Sequence, residues 1–438
     1  MSGKALGAAA SLLVLGALAV GCGTLESSND RVNPDKPLWY SRPSGALRVV
    51  FKRDLTAGSQ VVGEAYEKGR AEIDPIHGRL FIGTADHGLY ALRTDDGSTI
   101  WRFETLAAVQ SEPLYDPDLD LVYFGSNDGA LYAVHAFDGK LAWRFASGAE
   151  IGRRPVVVGE MLYFANGADN LFAVDRRTGK SVWHVHRTPA LGMEVSGYGG
   201  PAYDNGMVFF PYSDGHVGAY DARDGNERWI PVDLSAEAEQ AQGGQTVRYL
   251  DVDTTPVPHD LGPAGKVVYV ASYAGGVYAL DQERGAPVWK NDRAVGVTEL
   301  TLWREPDHMP RPGTPEYAPG GPPLPAREIL FASSGSTGLW ALDPASGKVL
   351  WRLPLPDGGI TAPVTIAGAL LVGTTRYGAF LLSPRNGGAI DGFDLGTGFS
   401  QTPAAYGHRG FLMSNAGTLL AVQAELPRAA DSTASAGP

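Results

Sequence analysis

The stretch that decides the fold is residues 88–101, GLYALRTDDGSTIW. An apolar run with an aromatic residue leads into a turn, TDDG, and a second short run ends in Trp101. A glycine in that turn supplies the positive φ that a tight hairpin needs. The small side chain of Ala91 leaves room for a large indole to lie against it. The stretch therefore predicts two antiparallel strands with a tryptophan packed across them.

The same pattern recurs along the chain. Five more copies read ALYAVHAFDGKLAW, NLFAVDRRTGKSVW, HVGAYDARDGNERW, GVYALDQERGAPVW and GLWALDPASGKVLW, ending at Trp143, Trp183, Trp229, Trp289 and Trp351. A seventh copy, AFLLSPRNGGAIDGF, keeps its glycines and ends in Phe393. Another apolar run, such as RLFIG or LVYFG, precedes each copy, and most of these follow a run that a proline opens. Four short strands per repeat are typical of propeller blades.

Counting the second runs predicts an all-β chain, an eight-bladed β-propeller with four-stranded antiparallel blades. The last blade has GFLMS and TLLAVQAEL but no outer strand after them. The run LRVVFKRDL, residues 47–55, is predicted to fill that place, so that an N-terminal strand closes the last blade and removes the open edges. A seven-bladed ring and a tandem of β-sandwiches are the alternatives, and the constant spacing from turn to tryptophan disfavours sandwiches.

The two ends of the chain differ from the repeats in composition. Lys4 precedes an uncharged stretch that ends LAVGC, which resembles a bacterial lipobox, and Cys22 is the only cysteine. We therefore expect residues 1–21 to be a lipoprotein signal peptide and Cys22 to carry the lipid, with an ordinary secretory signal as the alternative. Polar residues 22–45 are predicted to be a flexible tether, 46–426 the propeller, and 427–438 a disordered tail.

Charge and destination follow from the same features. The formal net charge of -12 disfavours nucleic acid and anionic lipid as main partners, because both are bound through Lys and Arg. Gly23 follows the cysteine in place of the aspartate that marks inner-membrane retention in enteric bacteria. The predicted location is the outer membrane, with the protein lipid-anchored and facing the periplasm.

Three connections between repeats are unusually long, which is where function concentrates on a rigid scaffold. They are residues 184–201, residues 230–256, and a proline-rich insertion at 292–327. If all three join consecutive blades, they cluster on one side of one face. In the third, Trp303 and Tyr317 are predicted to be exposed on a stiff arm for recognition, or to belong to a tolerated surface insertion.

The A-x-D-x-x-[TD]-G-x-x-x-W pattern resembles the tryptophan-docking repeat of pyrroloquinoline-quinone (PQQ) dehydrogenases and their non-catalytic relatives. Two further stretches, TPALGMEVSGYGGP (188–201) and RYLDVDTTPV (248–257), resemble loops of the BamB family, lipoprotein subunits of the machinery that folds outer-membrane barrels. The resemblance implies a non-catalytic scaffold whose loops contact the periplasmic POTRA domains of BamA. Unfolded outer-membrane proteins are implied as further partners.

Carried over from that family, the partner-binding residues fall at particular positions of this chain. The apolar contacts are Leu191 and Met193, and the carboxylates are Asp251 and Asp253. Glu194 stands where the family has an arginine, so the charge of this contact is reversed. A local role is the alternative for Asp253, whose carboxylate can cap the amide of Thr255 in an Asx turn.

Two other functions are weighed against this one. A PQQ enzyme of that family needs a Ca²⁺ site of Glu, Asn and Asp side chains and a disulfide between adjacent cysteines, which a single cysteine cannot form. We therefore predict no catalytic, cofactor-binding or metal-binding residues. The second is a periplasmic or surface propeller that binds another protein or a glycan. Arg153 and Arg154, in GAEIGRRP, are expected to be solvated or to meet the carboxylates of a partner.

Overall fold

The structure is a computed structural model that describes residues 44–56, 67–189, 199–234, 252–305, 321–322, 326–394 and 396–426. These residues form eight four-stranded antiparallel sheets, the blades of a β-propeller, which confirms the predicted fold. One short turn of 3-10 helix, Gly262–Ala264, interrupts the fifth blade.

The strands alternate with turns in the order that the repeats predict. The first four blades are β2 to β17: Ala71–Asp74, Arg79–Gly83, Gly88–Arg93, Thr99–Glu104; Leu114–Asp116, Leu121–Gly125, Ala130–His135, Leu141–Ala146; Val156–Val158, Met161–Asn166, Asn170–Asp175, Ser181–His186; Ala202–Asp204, Met207–Pro211, His216–Asp221, Glu227–Asp233. The last four are β18 to β32 with β1: Val257–Asp260, Lys266–Ser272, Gly276–Asp281, Pro287–Asn291; Val297–Glu305, Arg327–Ser334, Gly338–Leu342, Val349–Leu353; Val364–Ile366, Ala369–Thr374, Gly378–Leu382, Ala389–Phe393; Ala404–Tyr406, Arg409–Met413, Thr418–Ala424, Leu47–Asp54.

Antiparallel order gives the ring two distinct faces. We call the side that carries the blade-to-blade connections and the turns between second and third strands the connection face. The side that carries the other two turns of each blade is the hairpin face. β1 pairs with β32 from Leu47 opposite Ala424 to Asp54 opposite Thr418, so the N-terminal strand closes the last blade, as predicted. The chain therefore enters the ring at Leu47 on the hairpin face.

Each repeat tryptophan docks on the next blade. Trp101 lies opposite Ala91 on its own blade, and its indole Nε1 donates to the carbonyl of Ala136 on the second blade at 3.0 Å. The turn glycine of the second blade, Gly139, has a φ of 70°, and a Cβ there would lie 2.7 Å from the Trp101 ring. The same hydrogen bond joins Trp143 to Arg176, Trp183 to Ala222, Trp229 to Gln282, Trp289 to Pro344 and Trp351 to Pro384. The repeat is thus a device for joining blades.

The seventh repeat differs from the others for a structural reason. Asp391, not Phe393, holds the tryptophan position, because it lies opposite Leu381 as Trp351 lies opposite Ala341. Its carboxylate is buried and accepts the backbone amides of Ser44 at 2.9 Å and of Leu47 at 2.7 Å. The eighth blade presents the incoming chain here instead of a hairpin, so an acceptor replaces the indole donor. Interpreting this repeat as a degenerate copy that ends in Phe393 was therefore wrong.

The junction that closes the ring also lacks a tryptophan. Phe51 of β1 pairs with Ala421 at the equivalent position, and a Cβ on Gly97 of the first blade would lie 2.6 Å from its ring. The hydrogen bond comes from Arg409, whose Nη1 donates to the carbonyl of Thr94 at 2.9 Å. Stacking and hydrogen bonding, combined in one indole elsewhere, are divided here between two side chains.

The proline-rich insertion lies elsewhere than predicted. Val297–Glu305 is the innermost strand of the sixth blade and pairs with Arg327–Ser334, so the intervening residues join the first two strands of one blade. They leave the ring on the hairpin face and do not connect blades. Trp303 is only 6% exposed and packs in a core cluster with Ile329, so the prediction that it is exposed was wrong. Tyr317 lies outside the described residues.

Candidate functional site

Two connections carry the predicted partner-binding residues: the first is residues 184–201 and the second is residues 230–256. Both begin and end on the connection face. Leu191, Met193, Glu194 and Asp251 fall outside the described residues, as does Cys22. Asp253 is described and half-buried, and its backbone carbonyl accepts a hydrogen bond from Arg153 Nη2 at 3.0 Å.

The two connections meet where they rejoin the ring. The backbone amide of Gly200, at the end of the first, donates to Thr255 Oγ1, at the end of the second, at 2.9 Å. Gly199 and Thr254, one position earlier in each connection, also pack closely, because a Cβ on Gly199 would lie 2.5 Å from the carbonyl oxygen of Thr254. Only a residue without a side chain fits there. The segments that carry the predicted residues therefore leave the fold side by side.

The fourth blade fixes both ends of the second connection. The amide of Leu234, the last described residue before it, donates to the carbonyl of Gly215 at 3.0 Å. The amide of Val252, the first described residue after it, donates to the carbonyl of Tyr212 at 3.4 Å. Leu234 and Val252 are both buried in the same hydrophobic cluster. Residues 235–251 thus begin and end at a single turn of the scaffold.

The first connection is fixed at its beginning by an ion pair. Arg187, just after the third blade's outer strand, pairs with Asp214 of the fourth blade, and its guanidinium lies 5.7 Å from the centre of the Tyr212 ring. The Nδ1 atom of His216 also lies 3.1 Å from the Asp214 carboxylate. Burial raises the pKa of Asp214, but hydrogen bonds from His216 and Arg187 outweigh it and hold the pKa below its ordinary value.

Six charged side chains meet inside the central channel, just below the connection face. They belong to the first, second, third and sixth blades and are Arg70, Glu72, Glu112, Arg153, Arg154 and Glu299. We call this set the channel network. Its three arginines and three glutamates balance, so it adds no net charge.

Two arginines converge on one carboxylate in this network. Glu299 pairs with Arg70, and its Oε1 accepts from Arg153 Nη1 at 2.8 Å. A register shift between Val297 and Glu299 marks a bulge at the start of β22, a feature that re-aims side chains. Glu299 thereby links the first and third blades through the sixth.

A second pairing lies beside the first. Arg154 Nη1 and Nη2 donate to the two carboxylate oxygens of Glu72 at 2.7 and 2.8 Å, a bidentate arrangement. Arg70 Nη1 donates to Glu112 at 3.0 Å, and Glu112 lies 4.0 Å from Arg154, which joins the two pairings. Arg153 and Arg154 were predicted to be solvated or to meet the carboxylates of a partner. That prediction was wrong, because the carboxylates that they meet belong to this chain.

The electrostatics of the network favour its ionised form. Burial raises the pKa of Glu299, but the charges of Arg70 and Arg153 outweigh it and hold the pKa below the ordinary value of 4.5. Burial lowers the pKa of Arg70, but Glu299 and Glu112 outweigh it and hold the pKa above its ordinary value. Glu299 and Arg70 are therefore charged at neutral pH, and an ion pair holds them together.

The sequence contains one signal that could have located this network. Glu112 and Arg154 each precede the proline that opens an inner strand, and Arg70 directly precedes the inner strand of the first blade. That position faces the channel mouth, whereas Glu72 and Glu299 lie within inner strands. The partners are far apart in sequence, so the pairing itself has no local pattern.

Above the network the channel opens as a polar cavity of about 490 Å³. Its lining includes Lys68, Gln110, Asn127, Gln401 and Thr402, together with network residues. A second cavity of about 320 Å³ follows the inner strands of the first, seventh and eighth blades. The wall of the first cavity carries mostly hydrogen-bonding groups, unlike most small-molecule sites. The wall of the second also has apolar side chains, among them Ile73, Val364 and Tyr406.

Other sites considered in the sequence find no support in the described part of the chain. No group of three or more His, Cys, Asp or Glu side chains is placed there to hold a metal ion. No helix among the described residues is long and apolar enough to cross a membrane.

Comparison with known proteins adds to this geometry. The sequence profile of the family described as outer membrane protein assembly factor BamB matches residues 85–303 and 298–425. The chain is 24% identical over 235 residues to the outer membrane protein assembly factor BamB of Legionella pneumophila (strain Paris), covering 53% of this chain and 52% of that protein. It is 26% identical over 355 residues to the tetrathionate hydrolase of Acidithiobacillus ferrooxidans, covering 78% of this chain and 56% of that one.

The chain therefore spans about half the length of these two relatives. Among solved structures, BamB from Moraxella catarrhalis matches with a TM-score of 0.64 at 18% identity, covering 86% of this chain and 99% of that one. At that identity the likeness concerns the fold.

Proposed function

Because the chain belongs to the BamB family of outer membrane protein assembly factors, we propose that it is a non-catalytic scaffold of the β-barrel assembly machinery. In this role it binds the periplasmic domains of BamA and assists the folding and insertion of outer-membrane proteins. The partner-binding surface consists of Leu191, Met193, Glu194, Asp251 and Asp253.

The observation that carries the proposal is the meeting of the two connections at Gly200 and Thr255. The connections rejoin the ring at adjoining points, Gly200 and Thr255, so Leu191 and Asp251, which precede these ends in sequence, can belong to one surface. Binding residues are often found on loops that a rigid scaffold positions, and the ring provides such a scaffold for both connections. The partner for this surface carries apolar side chains beside basic ones, to match the two aspartates and Glu194.

The location follows from the same proposal. We place the protein at the outer membrane, facing the periplasm, with a lipid on Cys22. Ser44 lies 22 positions after Cys22, and an extended chain of that length reaches roughly 70 Å. The tether joins the ring at Leu47, on the hairpin face. The proposed partner-binding surface is on the opposite face, so the anchor leaves it accessible.

Charge reversal tests the proposed surface. The double substitution Asp251→Lys with Asp253→Lys should weaken binding to purified BamA periplasmic domains by at least tenfold, because it sets like charges against the partner's basic groups. Asp253 is half-buried, so Asp251→Lys alone is measured as well. Reversal of Asp95 and Asp96, an adjacent pair of exposed carboxylates on the hairpin face, is the matched control. Equal binding by all four proteins would disprove the assignment.

Similarity to a tetrathionate hydrolase makes an enzyme the second function to test. A PQQ enzyme needs cationic side chains for the carboxylates of its cofactor, but the channel arginines are already paired with Glu72, Glu112 and Glu299. The described channel therefore does not fit that cofactor. Reconstitution with PQQ and Ca²⁺ followed by dye-linked alcohol oxidation, and a separate assay with tetrathionate, should both give no turnover. Turnover in either assay would replace the scaffold proposal.

A propeller that binds another protein or a glycan, outside the assembly machinery, is the remaining possibility. Aromatic side chains, on which sugars commonly stack, are absent from the described lining of the channel mouth. Capture from solubilised membranes separates this case from the first, since only the first predicts a complex with BamA.

A further inference from the structure

Contacts inside the channel join blades that are not neighbours in the ring. Glu299 belongs to the sixth blade, whereas Arg70 precedes the inner strand of the first blade and Arg153 that of the third. Two blades separate the sixth from the first, and two separate it from the third. Such contacts can only pass across the channel. The channel network therefore braces the ring from within, in addition to the tryptophans that join adjacent blades.

Arg153 is the member of the network that also touches the proposed partner-binding surface. Its Nη1 donates to Glu299 Oε1 at 2.8 Å and its Nη2 donates to the carbonyl of Asp253 at 3.0 Å. Its Cβ lies against the other connection, because a Cβ on Gly200 would meet it at 3.2 Å. One side chain thus reaches the ends of both connections, and its side chain is only 20% exposed.

An arginine suits this position for a geometric reason. The planar guanidinium directs two N–H groups at two acceptors at once, and the carboxylate of Glu299 fixes its orientation with a charge-assisted hydrogen bond. A lysine at the same position would keep the charge, but its single ammonium on a flexible stem cannot hold both acceptors in fixed directions. Because Arg70 also pairs with Glu299, the orientation of the carboxylate depends on the first blade.

We propose that Arg153 is a positioning residue for the ends of the two connections, residues 199–200 and 252–255, which it links to the far side of the ring through Glu299 and Arg70. The inference rests on the proposed function for the identity of the partner, but not for the positioning itself. Loss of the guanidinium releases the carbonyl of Asp253. Because Gly200 donates to Thr255, two residues further on, the ends of both connections lose part of their support.

The neighbouring arginine provides a matched control. Arg154 lies in the same network and makes a bidentate pair with Glu72, but no described contact joins its guanidinium to the carbonyl of Asp253 or to Gly200. Arg153→Met and Arg154→Met each remove one paired charge from the channel. Only the first removes the support of the two connections.

The experiment measures two quantities on each variant of the full chain. The first is amide hydrogen exchange at residues 199–200 and 252–255 without any partner, and the second is affinity for purified BamA periplasmic domains. Arg153→Met should accelerate exchange at these residues and weaken binding about tenfold, whereas Arg154→Met should leave both within about twofold of the wild type. Arg153→Lys should give exchange rates and an affinity between those of the two Met variants, because lysine keeps the charge but cannot donate to both acceptors in fixed directions.

Glu299→Gln tests the relay at a distance. The Glu299 side chain makes no described contact with either connection. The substitution should therefore accelerate exchange at 252–255 only if Glu299 orients the Arg153 guanidinium that supports these residues. Unchanged exchange at these residues in both Arg153→Met and Glu299→Gln would overturn the inference. Equal effects of Arg153→Met and Arg154→Met would also overturn it, since they would indicate a general loss of stability. Altered exchange in a chain whose wild type binds no BamA would support the positioning role and disprove the proposed function.

Discussion

Asp391 provides the sharpest test of how the ring closes. Its carboxylate is 1% exposed and accepts the amides of Ser44 and Leu47 at 2.9 and 2.7 Å. Hydrogen bonds to a charged group each contribute about 1.5–3 kcal/mol. Ser44 is exposed, so its amide regains water when the carboxylate is removed, whereas Leu47 is 8% exposed and its amide is left without an acceptor. Removal of the buried charge offsets part of the loss, so Asp391→Ala should cost about 2 kcal/mol.

The expected effect is local, because the two amides lie at the start of β1. A cost of about 2 kcal/mol corresponds to roughly thirtyfold faster hydrogen exchange along Leu47–Asp54, if the strand opens locally. The thermal midpoint should fall by only about 2–3 °C, because a ring of this size has a large unfolding entropy. Asp96→Ala, which removes an exposed carboxylate that accepts one turn amide, is the control and should change neither.

A second substitution distinguishes a specialised residue from a decayed repeat. Asp391→Trp restores the consensus of the other blades, but an indole offers a donor where Ser44 and Leu47 need an acceptor. It should therefore destabilise the closing strand at least as much as alanine does. Wild-type exchange along β1 in the tryptophan variant would refute this account of the seventh repeat.

Two further predictions concern the joints between blades and the channel. Tyr163 and Trp183 both donate to the carbonyl of Ala222, at 2.8 and 3.1 Å. Each single change to Phe should lower the free energy of unfolding by about 1 kcal/mol, and the double change by more than the sum, because the carbonyl then loses both donors. Additive changes in the free energy of unfolding would contradict the shared acceptor. The lowered pKa of Glu299 means that its contribution to stability is present above its ordinary pKa of 4.5 and is lost as the pH falls through the folded value. The difference in unfolding free energy between wild type and Glu299→Gln should thus shrink below about pH 4.5, and a constant difference down to pH 3 would count against the pairing.

Most of the fold could be predicted because its information is local. A turn glycine and a tryptophan at constant spacing specify both the hairpin and its docking on the next blade. The sites that were misinterpreted are those where the ring departs from its repeat. Counting four positions forward from the turn glycine, Gly387, would have placed Asp391 at the tryptophan position. Its role, however, depends on Ser44 and Leu47, which lie more than 340 positions away.

The inner strand of the sixth blade shows a different limit. VTELTLW is rich in the β-branched and aromatic residues typical of strands, but its apolar residues do not alternate, and the prolines that follow suggested that it belongs to the insertion. The pairing within the channel network could not be predicted, because two of its pairs are 146 and 229 positions apart and each charge alone resembles a solvated one. Pairing across a channel is a property of the closed ring and is not encoded in any one repeat.

The central claim is that this propeller binds BamA. Its most direct test is to purify the chain from membranes solubilised in a mild detergent and to quantify what remains bound. The account predicts a stoichiometric complex with BamA that the reversal of Asp251 and Asp253 disrupts and the reversal of Asp95 and Asp96 leaves intact. Recovery of the wild-type ring without BamA under these conditions would contradict it.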